Sequence, residues 1–166
     1  MTTRVTGKGV FQLRDDIKKM FLDLNNCYTQ KITHYKDLLR NCRECSFQVS
    51  SGNYSRIEDL LEESNITITE IDNIDYQIAA IKTSICSKCG IEYYNFESYF
   101  FYKNDFAESS HTKVLIDYMK PLLRQSIEQR DSLVKKIQVE QNILAGSIDS
   151  LSRTRAINTH FHLLQG

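Results

Sequence analysis

The fold of this chain is decided by residues 17–49, which read IKKMFLDLNNCYTQKITHYKDLLRNCRECSFQV. Apolar side chains recur there at alternating steps of four and three, which places them on one face of an α-helix. We predict a helix over residues 13–49, since neither Gly nor Pro interrupts it. Lys31 alone breaks the apolar pattern, and we expect its stem to lie along apolar surface with the ammonium in water. The pattern consists of Ile17, Phe21, Leu24, Tyr28, Lys31, Tyr35, Leu38, Cys42, Cys45 and Val49.

A second stripe with the same spacing follows a short turn. Residues 50–53, Ser-Ser-Gly-Asn, have the composition of a turn, and Gly90 is typical of a helix end. We therefore predict a second helix over residues 54–89, antiparallel to the first because the connection is short. Its stripe consists of Ile57, Leu61, Ser64, Ile68, Ile71, Ile74, Ile78, Ile81, Ile85 and Cys89.

Residues 91–109 form a predicted crossover, rich in aromatic residues, between the second and third helices. The aromatic block at 91–106 could be a partner-binding patch or a plug over Ile17, Phe21, Ile81 and Ile85, and we favour the plug. A third helix is predicted over residues 110–160. Its stripe consists of Ile116, Met119, Leu123, Ile127, Arg130, Val134, Ile137, Gln141, Leu144, Ile148, Leu151 and Arg155.

These patterns together predict an all-α protein. The expected architecture is an elongated antiparallel three-helix coiled-coil bundle, with residues 1–166 forming a single helical domain.

Composition excludes several classes of function. Lysine plus arginine and aspartate plus glutamate both number 21, so the surplus of positive charge typical of nucleic-acid binding is missing. The sequence contains no apolar stretch long enough for a signal peptide or a membrane span, so we expect a cytoplasmic protein without membrane insertion. No catalytic or nucleotide-binding motif occurs, and we expect neither an enzyme nor a cofactor.

Two CxxC pairs, Cys42–Cys45 and Cys86–Cys89, raise the alternative of a tetrathiolate zinc site. In the predicted hairpin the two pairs lie on the order of 40 Å apart, because each helical residue advances the chain by about 1.5 Å. Four thiolates at that separation cannot bind one ion. We therefore interpret these cysteines as small apolar core residues.

The opening of the second helix, SGNYSRIEDLLEES over residues 51–64, and the stretch ITEIDNI over 68–74 resemble the FlgN-like flagellar export chaperones. The segment from Asn142 to Leu151 and the tail with Phe161 and Gly166 are also similar to that family. The chain departs from the family in its length, in the aromatic insert and in its five cysteines. Those departures leave the identity of the bound subunit open.

The resemblance implies a cytoplasmic chaperone that holds hook-associated flagellar subunits unassembled before type III secretion. It implies a secreted structural subunit as the partner, leaves contact with the export apparatus open, and fits a monomer or a homodimer. The alternative is a structural coiled-coil tether without chaperone activity.

We predict that the C-terminal half of the third helix binds the partner. Beyond about Ser150 the helix should extend past the hairpin, leaving apolar side chains uncovered, and no acid follows Asp149. The alternative is a tail that folds back to cover the hairpin tip with Phe161. The predicted binding residues are Leu144, Ile148, Leu151, Arg153, Arg155, Ile157, Phe161 and Leu164.

Overall fold

Helices account for nearly all of the chain in the computed structural model. It describes residues 7–102 and 107–164, with side chains at 12–102 and 107–153. The described part contains no strand, which confirms the all-α class. It also contains no helix that is long and apolar enough to cross a membrane. The first and the last of the long helices both extend further than the sequence predicts. The elements are α1 (Gly7–Ser51), α2 (Tyr54–Cys89), a 3-10 turn (Tyr93–Asn95), α3 (Phe96–Tyr102) and α4 (Ala107–Leu164).

Left-handed glycines end both helices of the first hairpin. Gly52 has φ 72°, and Asn53 N–H donates a hydrogen bond to the Gln48 carbonyl at 3.1 Å. Gly90 has φ 64°, and the next N–H, that of Ile91, donates to the Cys86 carbonyl. Residues with a Cβ rarely adopt this conformation, so glycine is the residue that stops each helix cleanly.

Polar contacts between side chains of α1 and α2 show that the two helices are antiparallel. The Lys88 ammonium lies 2.9 Å from the Asp16 carboxylate, whereas further along α1 the His34 imidazole lies 3.3 Å from the Glu70 carboxylate. Residue numbers therefore rise along α1 as they fall along α2. The register brings Ile17 and Phe21 into one core cluster with Ile85, as the two stripes predict.

Helix α4 runs parallel to α1 and is held against it by polar contacts at two levels. Near its start, the buried Thr112 hydroxyl donates a hydrogen bond to Asn25 Oδ1, and Asn25 Nδ2 donates to the Glu108 carbonyl at 3.1 Å. Further along, Lys136 Nζ donates to the Ser46 carbonyl at 2.6 Å. The apolar stripes contained no signal for these polar contacts, because short polar residues next to a stripe are usually exposed.

Helix α1 lies between α2 and α4. It packs along both of them, whereas α2 and α4 make no comparably extensive contact with each other in the described part of the chain. The central helix is therefore buried over a wide face that includes the polar side chains of Asn25, Lys31 and Asn41. One side of the assembly, between α2 and α4, is left open.

The larger core cluster lies where α3 crosses from α2 to α4, and we call it the crossover cluster. The Phe21 ring lies 5.0 Å from the Phe100 ring and 5.9 Å from the Phe96 ring, between centroids. The plug interpretation is confirmed for these two phenylalanines, whereas Tyr94 and Tyr102 are exposed and residues 103–106 lie outside the described part. The cluster consists of Ile17, Phe21, Leu24, Cys27, Tyr28, Ile74, Ile78, Ile85, Cys86, Phe96, Phe100 and Ile116.

A smaller core cluster lies near the turn between α1 and α2, and we call it the tip cluster. It consists of Cys45, Val49, Ile57, Leu60 and Leu133. Helix α4 contributes the buried Leu133 to this cluster, and its partly buried Ile137 packs against it.

The environment of Lys31 differs from the expectation. Its ammonium does not lie in open water; the residue is buried and forms an ion pair with the half-exposed carboxylate of Asp75 on α2. A buried ammonium is costly unless a carboxylate compensates for the lost water. The helical spacing predicted the face on which Lys31 lies, but not this partner on the neighbouring helix.

Candidate partner-binding groove and the exposed stripe of α4

An apolar groove runs between α2 and α4 with α1 as its floor, and we call it the α2–α4 groove. Its volume is about 470 Å³. It exists because both flanking helices pack on α1 without closing on each other. Its apolar lining includes Leu38 and Cys42 on the floor, Leu61, Ile68 and Ile71 on α2, and Leu123, Ile127, Val134 and Ile137 on α4.

The groove explains why parts of the second and third predicted stripes are not buried. Leu61 and Ile68 on α2, and Leu123, Ile127 and Val134 on α4, are all exposed by more than a third of their surface. The expectation that these stripes form a buried seam is wrong at these positions. Of the third predicted stripe, Ile116 is the one buried residue in the described part of α4. The other buried side chains of this helix, Ser109, Thr112, Ser126 and Leu133, lie outside that stripe.

A second hollow continues the groove towards the turn that joins α1 and α2. It has a volume of about 310 Å³ and is lined by Val49, Tyr54 and Ile57 from the hairpin and by Ile137 and Leu144 from α4. The apolar surface is therefore continuous from the middle of the molecule to the end of the hairpin. Beyond Glu140, every described side chain of α4 is exposed.

From Leu123 onward, most of the exposed apolar residues of α4 follow one heptad-like pattern, which we call the α4 stripe; Val139 and Ile143 lie outside it. Leu144, which borders the hollow near the turn, is 46% exposed, and Ile148 and Leu151 beyond it are 62% and 63% exposed. The overhang, the part of α4 beyond Leu144, continues as helix to Leu164 without folding back over the tip. The stripe consists of Leu123, Ile127, Arg130, Val134, Ile137, Gln141, Leu144, Ile148 and Leu151, separated by alternating steps of four and three.

Four of the eight predicted binding residues can be placed. Leu144 lies half-exposed at the hollow near the turn, and Ile148, Leu151 and Arg153 lie exposed on the overhang. The side chains of Arg155, Ile157, Phe161 and Leu164 lie outside the described residues. The sequence missed the groove itself, because a stripe shows which residues share a helix face but not whether another helix covers that face.

Charge is distributed unequally around this surface. Residues 54–76 of α2 contain seven acids and one base, Arg56, and the groove wall includes Asp72 and Asp75. On the overhang, Arg153 is exposed and no acid follows Asp149 in the sequence. The α2 wall is therefore acidic, whereas the end of α4 is basic.

The two CxxC pairs lie in different parts of the core. Cys45 belongs to the tip cluster and Cys86 to the crossover cluster, and the described residues contain no group of three or more potential metal ligands. Burial raises the pKa of both thiols, which lowers their reactivity. In the second pair Cys86 is buried and Cys89 is only half-buried, whereas the predicted stripe placed Cys89 on the core face.

Comparison with known proteins adds no relative. No family model, no curated protein and no solved structure matches this chain. The features of the chain that bear on its function are therefore the α2–α4 groove, the α4 stripe and their charges.

Proposed function

We propose that this protein is a cytoplasmic export chaperone for a flagellar subunit of the hook-associated type. The subunit binds the C-terminal half of α4 and is kept unassembled before type III secretion. The observation that supports this most directly is the half-exposed apolar surface that continues from the α2–α4 groove to the overhang. Exposed apolar surface of this extent is typical of a protein-binding site.

The dimensions of the groove suit a helix of the subunit. On α4 its lining extends from Leu123 to Ile137, which corresponds to about 21 Å or about four helical turns. An amphipathic helix placed there would bury its apolar face against both walls. A subunit that assembles through the same apolar face could not do so while bound.

We further propose that α1, α2 and α4 work as an elongated antiparallel coiled-coil bundle that is open on one side. The bound helix would take the fourth position, next to α2 and α4. In this arrangement α1 and the crossover cluster form a rigid base. The overhang would then extend the contact beyond the hairpin.

The second candidate function is a structural tether. It is favoured by one observation, the heptad-like spacing of the α4 stripe, because that spacing also suits a permanent coiled coil with another protein. A tether would form a lasting assembly with its partner, whereas a chaperone would form a soluble one-to-one complex that releases the subunit.

Deletion of residues 151–166 tests the chaperone function. We expect the free energy of unfolding to stay within about 0.5 kcal/mol of the full chain, because the described side chains removed are exposed. Co-purification with each hook-associated subunit of the same organism should be lost. Val139→Glu, an exposed change on the opposite face of α4, is the control that retains the complex. Retained binding together with a loss of several kcal/mol of stability would mean that the tail is structural.

A further inference from the structure

We propose that, in the absence of other partners, the α2–α4 groove of one chain is filled by the overhang of a second copy in an antiparallel dimer. The proposal concerns the protein alone and holds whichever subunit it binds. Three features support it: the lengths of groove and overhang, the spacing of the α4 stripe, and the charges on the two surfaces.

The lengths of the two surfaces match. From Leu123 to Leu144, α4 lines the groove and its continuation at the tip, a distance of about 32 Å. From there to Leu164 the overhang measures about 30 Å. If two copies of α4 pair antiparallel about a two-fold axis near residues 142 and 143, each overhang therefore extends along the groove of the other copy.

The α4 stripe is self-complementary in this arrangement. In an antiparallel pair with heptad spacing, the two kinds of apolar position face each other. The axis near residues 142 and 143 places Val134 opposite Leu151 of the partner subunit, and Ile137 opposite Ile148 of the partner subunit. The same contacts recur on the other side of the axis, as two-fold symmetry requires.

The charges are complementary at the same register. Leu60 and Leu133 meet in the tip cluster, so they lie at one level of the molecule. In the dimer, Arg153 of the partner subunit would lie close to that level, beside Glu58 and Glu62 on α2. Glu58 lines the hollow at the tip, and Glu62 is one helical turn away from it. Arg153 of the partner subunit would thus lie beside the acidic wall. Arg155 of the partner subunit, by contrast, would lie opposite Arg130.

This pairing would cover the apolar surface that a single chain leaves open. At each end of the dimer, the overhang of one copy would complete a four-helix arrangement with α1, α2 and α4 of the other. A subunit that binds the α4 stripe, as proposed above, would have to displace the second copy. The dimer would then be the unloaded state of the chaperone.

Sedimentation velocity of the full chain tests the dimer. At micromolar concentrations we expect a species of twice the chain mass of 19.3 kDa. Val134→Glu alone and Leu151→Lys alone should each be monomeric, because a charge enters an apolar layer. Both side chains are about half exposed or more, so the variants should keep their helicity by circular dichroism. Val139→Glu, on the opposite face of α4, should remain dimeric.

Mixing the two monomeric variants tests the orientation. In the antiparallel register the introduced carboxylate faces the introduced ammonium, and an equimolar mixture should recover the dimer. A parallel pair would place each new charge against an unchanged apolar residue and would not recover it. A monomeric wild-type chain, unaffected dimerisation of the single variants, or no recovery on mixing would each overturn the proposal. If the wild-type chain is a monomer and its groove is filled only when a subunit is added, the groove binds the subunit and not a second copy.

Discussion

Phe21→Ala should lower the free energy of unfolding by about 3–5 kcal/mol. The Phe21 side chain is fully buried in the crossover cluster and touches the rings of both Phe96 and Phe100. Truncation removes the contacts with these two rings of α3 and leaves a cavity in the crossover cluster. Urea denaturation followed by circular dichroism measures the change.

Leu22→Ala is the matched control for this prediction. Leu22 is the next residue of α1 and is 53% exposed, so its truncation should change stability by no more than about 0.5 kcal/mol. Equal effects at the two positions would contradict the packing of α3 onto α1.

The double substitution of Ile148→Glu and Leu151→Glu should weaken subunit binding at least about 100-fold, which is about 2.8 kcal/mol. Each side chain is more than 60% exposed in the free chain, so little stability should be lost. In a complex, both residues would lie in the apolar contact, and each new carboxylate would have to lose its water without a partner. Isothermal titration calorimetry with the co-purified subunit measures the affinity.

Val139→Glu again provides the control, since Val139 is 56% exposed but lies on the face of α4 opposite the α4 stripe. It should bind the subunit with unchanged affinity. Equal losses for the control and the double variant would show that the added charge matters in general and that the α4 stripe has no special role.

Most of the buried face of α1 was predictable from the sequence. Eight of the ten positions in its stripe are buried, because α1 has a neighbour on each side. The antiparallel register with α2 followed from the short turn at Gly52. The aromatic block at 91–106 was predicted to cover Phe21, but the sequence did not indicate that Phe96 and Phe100 are the residues that do so.

The sequence did not reveal which helices contact one another. Leu61 and Ile68 continue the α2 stripe, yet they line an open groove, because α4 packs extensively on α1 but not on α2. Periodicity alone cannot distinguish a buried seam from a binding surface. Lys31 was placed on the correct face, but the carboxylate that compensates its charge comes from a helix 44 residues away along the chain.

The candidate site was predictable in part. The overhang followed from the lengths of the helices, since a third helix longer than its neighbours must extend past them. The α2–α4 groove, which continues this surface towards the middle of the molecule, was not predictable, because it depends on how α2 and α4 pack on α1. The polar link between Asn25 and Thr112 had no signal in the hydrophobic pattern, because it depends on two short side chains that meet only in the folded chain.

The claim that the α2–α4 groove is the binding surface is tested most directly by the alkylation rate of Cys42, a native thiol on the floor of that groove. Cys89 is the internal control: it is also half-buried, burial also raises the pKa of its thiol, and it is not part of the groove lining. Maleimide labelling, followed by peptide mass spectrometry, measures both rates in one sample.

If a helix of the subunit occupies the groove, it should shield Cys42 from the maleimide. In the full chain saturated with subunit, Cys42 should therefore react at least about tenfold more slowly than in the chain lacking residues 151–166. Cys89 should react at the same rate in both samples. Equal Cys42 rates in the two samples, with the subunit shown to be bound, would contradict the claim that this groove is the binding surface.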